Sequence, residues 1–152
     1  MMTGIPPTEI APPLYEYVQL FSSTRHGARL ARLMATQQLA DWGWPHCCRV
    51  SQTAESVVAE LATNAALHGR CLDRDFRMRL ATGPGLLMPT VLRVEVTDML
   101  ADKHPDFALS HPEAESGRGL LLIDAFADRW GVQDRRPCGK TVWAELDLPT
   151  PH

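Results

Sequence analysis

Glu60, Asn64 and His68 recur at four-residue intervals in the run Val57-Val-Ala-Glu-Leu-Ala-Thr-Asn-Ala-Ala-Leu-His-Gly69. That spacing stacks a carboxylate, an amide and an imidazole along one side of an α-helix. The other positions, Val57, Val58, Leu61, Ala65, Ala66 and Leu67, read as a buried face. Polar groups on so apolar a helix are costly to bury alone, so a polar counterpart is expected opposite them. Asn64 is the most telling, because asparagine is a poor helix former and needs a reason to sit mid-helix. His68 has a plainer reading, as a C-terminal charge that complements the helix dipole just before Gly69.

Other residues offer complementary chemistry. Asp98 closes a strand-like run and presents an acceptor that suits a ligand amine, although a solvated strand end is the simpler reading of it alone. Gly117-Arg-Gly119 opens a helix, where unpaired N–H groups and the dipole suit a phosphate; glycines there also serve ordinary turns. Gly139-Lys-Thr141 resembles the tail of a P-loop. The full motif needs glycine where Asp134 stands, and a helix rather than a strand afterwards, so a P-loop is excluded. A glycine before a strand instead fits close backbone approach.

The elements that must position these residues follow from periodicity. Residues 1 to 13 hold four prolines and read as a flexible N-terminal tail. Leu14 to Phe21 alternates as a strand. Arg25 to Trp42 has helical spacing at Leu30, Leu33, Met34 and Leu39, with Thr24 as its cap and Gly43-Trp-Pro45 as its stop. Ser51 is the expected N-cap of the next helix, and Gly69 its left-handed C-terminal cap. Asp75 to Ala81 and Thr90 to Thr97 alternate as strands around the turn Gly83-Pro-Gly85. Residues 99 to 116 lack a period and form a long loop of the kind that is usually functional or disordered. A helix then runs from Gly117 with Leu120, Ile123, Phe126, Ala127 and Trp130 on one face, and Gly131 ends it. Thr141 to Leu148 is the last strand. Residues 14 to 150 are expected to form one α+β domain. It would be a two-layer α/β sandwich, its sheet mixed but mainly antiparallel, with helices on one face.

Composition bounds the function. The 152 residues are 45% hydrophobic and 22% charged, which fits a globular domain with a real core. A net charge of -3 supplies no basic field for nucleic acid. Trp42, Trp44, Trp130 and Trp143 do not interleave with a basic patch, so base stacking is not supported. No apolar run reaches the roughly 18 residues of a membrane span, and no signal peptide opens the chain. A cytoplasmic location is expected. Cys47, Cys48, Cys71 and Cys138 contain no Cys-x-x-Cys and are expected to be reduced structural thiols.

In order along the chain, these pieces resemble the GHKL, or Bergerat-fold, ATP-binding superfamily. Glu60-Leu-Ala-Thr-Asn-Ala-Ala-Leu-His-Gly69 looks like its N box, and Val94-Glu-Val-Thr-Asp98 like the strand and aspartate of its first glycine box. Gly117-Arg-Gly-Leu-Leu-Leu-Ile123 looks like its second glycine box, and Gly139-Lys-Thr141 like its last turn. The run from Gly117 to Gly131 is most similar to the anti-sigma-factor serine kinases, in particular the stand-alone actinobacterial type.

The resemblance implies an ATP-binding regulatory protein that transfers the γ-phosphoryl group to a serine of an antagonist protein and sequesters a partner such as a sigma factor. It implies Asn64 as the magnesium ligand and Glu60 as the catalytic residue that orients or deprotonates the attacking hydroxyl. Asp98 would accept from the adenine amino group, and Gly117, Arg118, Gly119 and Leu120 would hold phosphates. Thr141 would lie near the adenine end, with His68 closing the N box. A homodimer is likewise implied. One departure stands out: Leu100 replaces a glycine of the first glycine box, where a bulky side chain would narrow the approach to a nucleotide. It motivates the alternative of a non-catalytic, protein-binding regulatory module with weak or lost ATP binding. A histidine-kinase core without its own acceptor region and a gyrase-like machine fit the chain less well.

Overall fold

The computed structural model describes residues 13–69, 75–83, 89–98, 121–134 and 139–149. The elements are β1 (Tyr15–Ser22), α1 (Arg25–Asp41), α2 (Arg49–Gly69), β2 (Asp75–Gly83), β3 (Val91–Asp98), β4 (Arg129–Asp134) and β5 (Lys140–Asp147). Residues 121–126 are also helical. The five strands form one sheet in the order β1-β2-β3-β5-β4, and all four pairings are antiparallel. The expected α+β sandwich with a mainly antiparallel sheet is what the chain forms. The expected tail and the long loop after β3 lie outside the described residues.

Strand alternation divides the sheet into two unlike faces. Leu92, Val94 and Val96 of β3 and Ala144 and Leu146 of β5 join Phe76, Met78 and Leu80 of β2 in the core. Against them pack Ala31, Ala35 and Leu39 of α1 and Val57, Val58, Leu61 and Ala65 of α2. The opposite face is charged. Arg79 pairs with Glu16 at 2.6 Å and with Glu95 at 3.1 Å, and Arg93 links Glu95 at 2.6 Å to Glu145 at 3.1 Å. Arg129 then joins Glu145 at 2.8 Å to Asp147 at 2.6 Å. The pairs form a continuous ladder from β1 to β4. Its centre is dry: the Glu145 side chain is 0% exposed.

The face of α1 that packs inward differs from the one its leucines suggest. Leu30 and Leu33 are exposed, and the buried residues are Gly27, Ala28, Ala31, Ala35, Thr36 and Leu39. Small residues let the helix lie close to its neighbours: a Cβ on Gly27 would stand 1.9 Å from the Ser22 carbonyl oxygen. Thr24 caps α1 as expected, its Oγ1 accepting from the Gly27 N–H at 2.9 Å. At the other end Gly43 takes a left-handed φ of 105°. Tyr15 stacks on Trp42 at 5.4 Å and ties the end of α1 to β1.

Two sequence expectations are corrected. Ser51 does not cap α2, because the Gln52 N–H already bonds the Cys48 carbonyl at 3.1 Å and the helix starts at Arg49. Ser51 is instead buried in the first turn, its Oγ without a hydrogen-bond partner. Trp130 and Gly131 are not helical. The last helical bond is Ala127 N–H to the Ile123 carbonyl at 2.8 Å, and Asp128 N–H at once reaches the Glu145 carbonyl at 2.9 Å. Gly131 lies opposite Trp143 in β5, where its lack of a side chain makes room for the indole: a Cβ there would be 2.8 Å from Trp143 Cζ2. Cys47 is exposed and Cys48 half-buried, both as free thiols, in line with the expected reduced state.

Candidate functional site

The direction of α2 decides what its polar stripe faces. Its first turn borders one end of the sheet: Arg49, Val50 and Thr53 share a groove with Leu146, Leu148 and Pro149. A helix of 21 residues is about 30 Å long. A strand of 8 residues is roughly as long, about 27 Å. The second half of α2, with Glu60 and Asn64, therefore reaches the opposite end of the sheet. There Ser22 pairs with Asp75, Phe76 with Asp98, and Asp98 with Lys140. Asn64 thus lies in the half of α2 that runs toward the Asp98 end of the sheet.

Glu60 and Asn64 are half-buried, and among the described residues none holds either side chain by a hydrogen bond or ion pair. Two oxygen-bearing groups one turn apart, in a partly desolvated place and already committed to the folded helix, are pre-positioned for a ligand. An amide oxygen and a carboxylate are the hard donors that magnesium takes, so the residues present fit that ion. Asp98 is the last residue of β3 and is half-buried. His68 lies in the last turn of α2, its side chain outside the described residues. Gly117, Arg118, Gly119, Leu120 and Leu100 also lie outside them.

Thr141 lies at this end of the sheet, one residue from the partner of Asp98. Its hydroxyl meets that of Thr97 at 2.7 Å, and both threonines are buried on the charged face of the sheet. Asp98 follows Thr97 and so turns to the helix face. The residue of β5 that shares this face with Asp98 is Lys140, its direct partner in the register. A one-residue step along a strand reverses the side chain, which is why Thr141 does not join Asp98.

Sequence reading also missed a basic groove beside the site. Arg25, Arg29 and Arg32 of α1 face Ala59, Thr63 and Ala66 of α2 across a groove of about 370 Å³. Arg25 starts the helix that follows the Ser22 end of β1, which sets the groove at the same end of the domain as Asp98. Glu55 approaches Arg32 at 3.7 Å, and Arg32 Nε has no hydrogen-bond partner. No other carboxylate among the described residues pairs with the three guanidinium groups. The signal was present as arginines at i, i+4 and i+7, hidden by attention to the leucines between them.

Comparison with known proteins agrees with the geometry. The family model for the histidine kinase-like ATPase domain matches residues 21–146. No curated protein matches the chain. The matched span runs from the last residues of β1 to the end of β5 and includes α2 and Asp98. The chain therefore belongs to the histidine kinase-like ATPase domain family, a branch of the GHKL superfamily whose fold binds ATP.

Proposed function

We propose that the protein is an ATP-dependent serine kinase of the anti-sigma-factor type, which phosphorylates an antagonist protein and sequesters a partner such as a sigma factor. The observation that carries this reading is the pair Glu60 and Asn64, half-buried and without a hydrogen-bond partner among the described residues, on the helix whose second half runs toward the Asp98 end of the sheet. Asn64 would hold magnesium through its amide oxygen. The ion, when bound, offsets phosphate charge as the γ-phosphoryl group moves. Glu60 takes the proton of the acceptor serine while the serine oxygen bonds to the γ-phosphorus and the bridging oxygen leaves on ADP. Asp98 accepts from the amino group of the base.

The arginine groove and the exposed Leu30 and Leu33 of α1 support a protein acceptor rather than a small molecule. A cationic groove on a helix that also exposes two leucines suits an acidic, partly apolar surface. Val18 and Leu20 of the edge strand β1 are also exposed, on the charged face, and support the homodimer that the family resemblance implies. Sedimentation equilibrium checks that state; a monomer at micromolar concentration removes it.

The decisive experiment uses labelled ATP, magnesium and candidate antagonist proteins. Phosphoserine should form with the unmodified protein and disappear in Glu60→Ala, which keeps ATP affinity. Asn64→Ala should lose magnesium-dependent binding yet unfold at an unchanged temperature. Asp98→Asn should weaken ATP binding by about 1.5–3 kcal/mol, the range for a hydrogen bond to a charged group. Absence of any calorimetric heat with Mg-ATP would sink the nucleotide reading. Leu100 favours one second reading, a non-catalytic binding module. Partner capture unaffected by nucleotide, with no phosphoserine, would establish it instead.

A further inference from the structure

The arginine groove has a fixed place relative to Glu60, and that place limits what it can hold. Arg25, Arg29 and Arg32 face Ala59, Thr63 and Ala66 across about 370 Å³. Arg25 and Arg29 are exposed, and among the described residues none holds either side chain by a hydrogen bond or ion pair. Arg32 has only the approach of Glu55 at 3.7 Å, and its Nε donates to nothing. The first turn of α1 contains no acidic residue, so the positive end of that helix adds to the field of Arg25 instead of being offset. The three cations span about 10 Å along α1. A field of one sign in a concave site draws in ligands of the other sign.

The wall between the groove and Glu60 is low. Ala59 and Thr63 are small, and Thr63 is exposed on the crest of α2. Glu60 follows Ala59 by one residue, which is about 100° round the helix and about 8 Å at the radius of the side chains. An extended chain covers that distance in about two or three residues. The further reach into the groove adds a few more. A segment with its serine at Glu60 therefore carries residues about three to six positions away past the arginines. On the reading that Glu60 serves an acceptor serine, we propose that the groove recognises carboxylates about three to six positions from that serine, so that the substrate is a serine in an acidic segment. Guanidinium groups suit this task, because each offers several donors in a planar fork that matches a carboxylate.

The test uses the full chain, Mg-ATP and labelled peptides with a single serine. Two peptides carry glutamates about three to six positions before or after the serine, and their counterparts carry glutamines there. Fluorescence anisotropy should show one acidic peptide binding about tenfold more tightly than its glutamine counterpart, the size of three partly exposed ion pairs. The preference should fade as salt rises. Arg29→Glu should bring the acidic peptide down to the neutral level, and Arg29→Lys, which keeps the charge, should retain most of the preference. Circular dichroism of both variants guards against misfolding. Equal binding of acidic and neutral peptides overturns the inference. So does a preference that survives Arg29→Glu, or a short single-stranded DNA that displaces the acidic peptide. Phosphoserine is measured in the same mixtures. An acidic preference without any phosphoserine overturns the kinase reading and leaves the groove's choice of carboxylates standing, so the two failures are told apart.

Discussion

Ser51 shows how much a single hydroxyl can mislead. A serine before an apolar helical run reads as a cap, but the turn Pro45 to Cys48 starts α2 earlier, with the Cys48 N–H bonded to the Pro45 carbonyl at 3.0 Å. The hydroxyl is left 1% exposed and unpaired. Removing it relieves a desolvated polar group and substitutes a better helix former. Ser51→Ala should raise stability by about 1 kcal/mol, seen as a higher urea midpoint with an unchanged slope; a lower midpoint would show that Oγ has a partner. Asn64 and Glu60 were legible for the opposite reason. Their types conflict with their surroundings on the helix, which is the conflict that the proposed magnesium and catalytic roles would resolve. That the Thr141 hydroxyl turns to Thr97 was not legible, because strand parity depends on a register that a single chain segment does not contain.

At the scale of the element, spacing located β1, α1, α2, β2, β3 and β5 to within a few residues, because each carries a clear 3.6- or 2-residue period. It failed at β4. Phe126, Ala127 and Trp130 continue a helical pattern on paper, and only pairing with β5 through Glu145 and Trp143 turns the chain into a strand at Arg129. Tertiary contact overrides local preference here. The glycine taken as a helix stop is a packing device. Gly131→Ala would drive a methyl group into the rigid Trp143 ring, which the Arg93 guanidinium covers at 4.8 Å from its centroid. The expected cost is about 1–3 kcal/mol, read by thermal unfolding together with a change in tryptophan emission. An unchanged melting temperature would mean that β4 moves aside freely.

Over the whole molecule, the two sheet faces obey different rules. One is apolar and holds two helices; the other is a ladder of alternating charges with its middle rungs buried. Alternation in Arg77-Met-Arg79 and Arg93-Val-Glu95 announced a strand with a polar side, but not that Glu145 would end between Arg93 and Arg129 with no solvent contact. Glu145→Ala strands part of that positive charge and should cost about 3 kcal/mol. Glu145→Gln, which keeps the shape and one acceptor oxygen but turns an NH2 donor toward one guanidinium, should cost less than the alanine variant. Urea unfolding of both compares them, and equal losses would show that packing, not charge, is what the ladder contributes. No described helix is long and apolar enough to cross a membrane.

The ladder also acts as a vernier for the binding end. If β5 slid by one residue against β3, Glu145 would enter the apolar layer and Leu146 would leave it, so the charges forbid the slip far more strongly than backbone bonding alone. The same slip would exchange Lys140 for Thr141 beside Asp98. A set of ion pairs in the middle of the sheet thereby selects which of two neighbouring side chains stands beside Asp98.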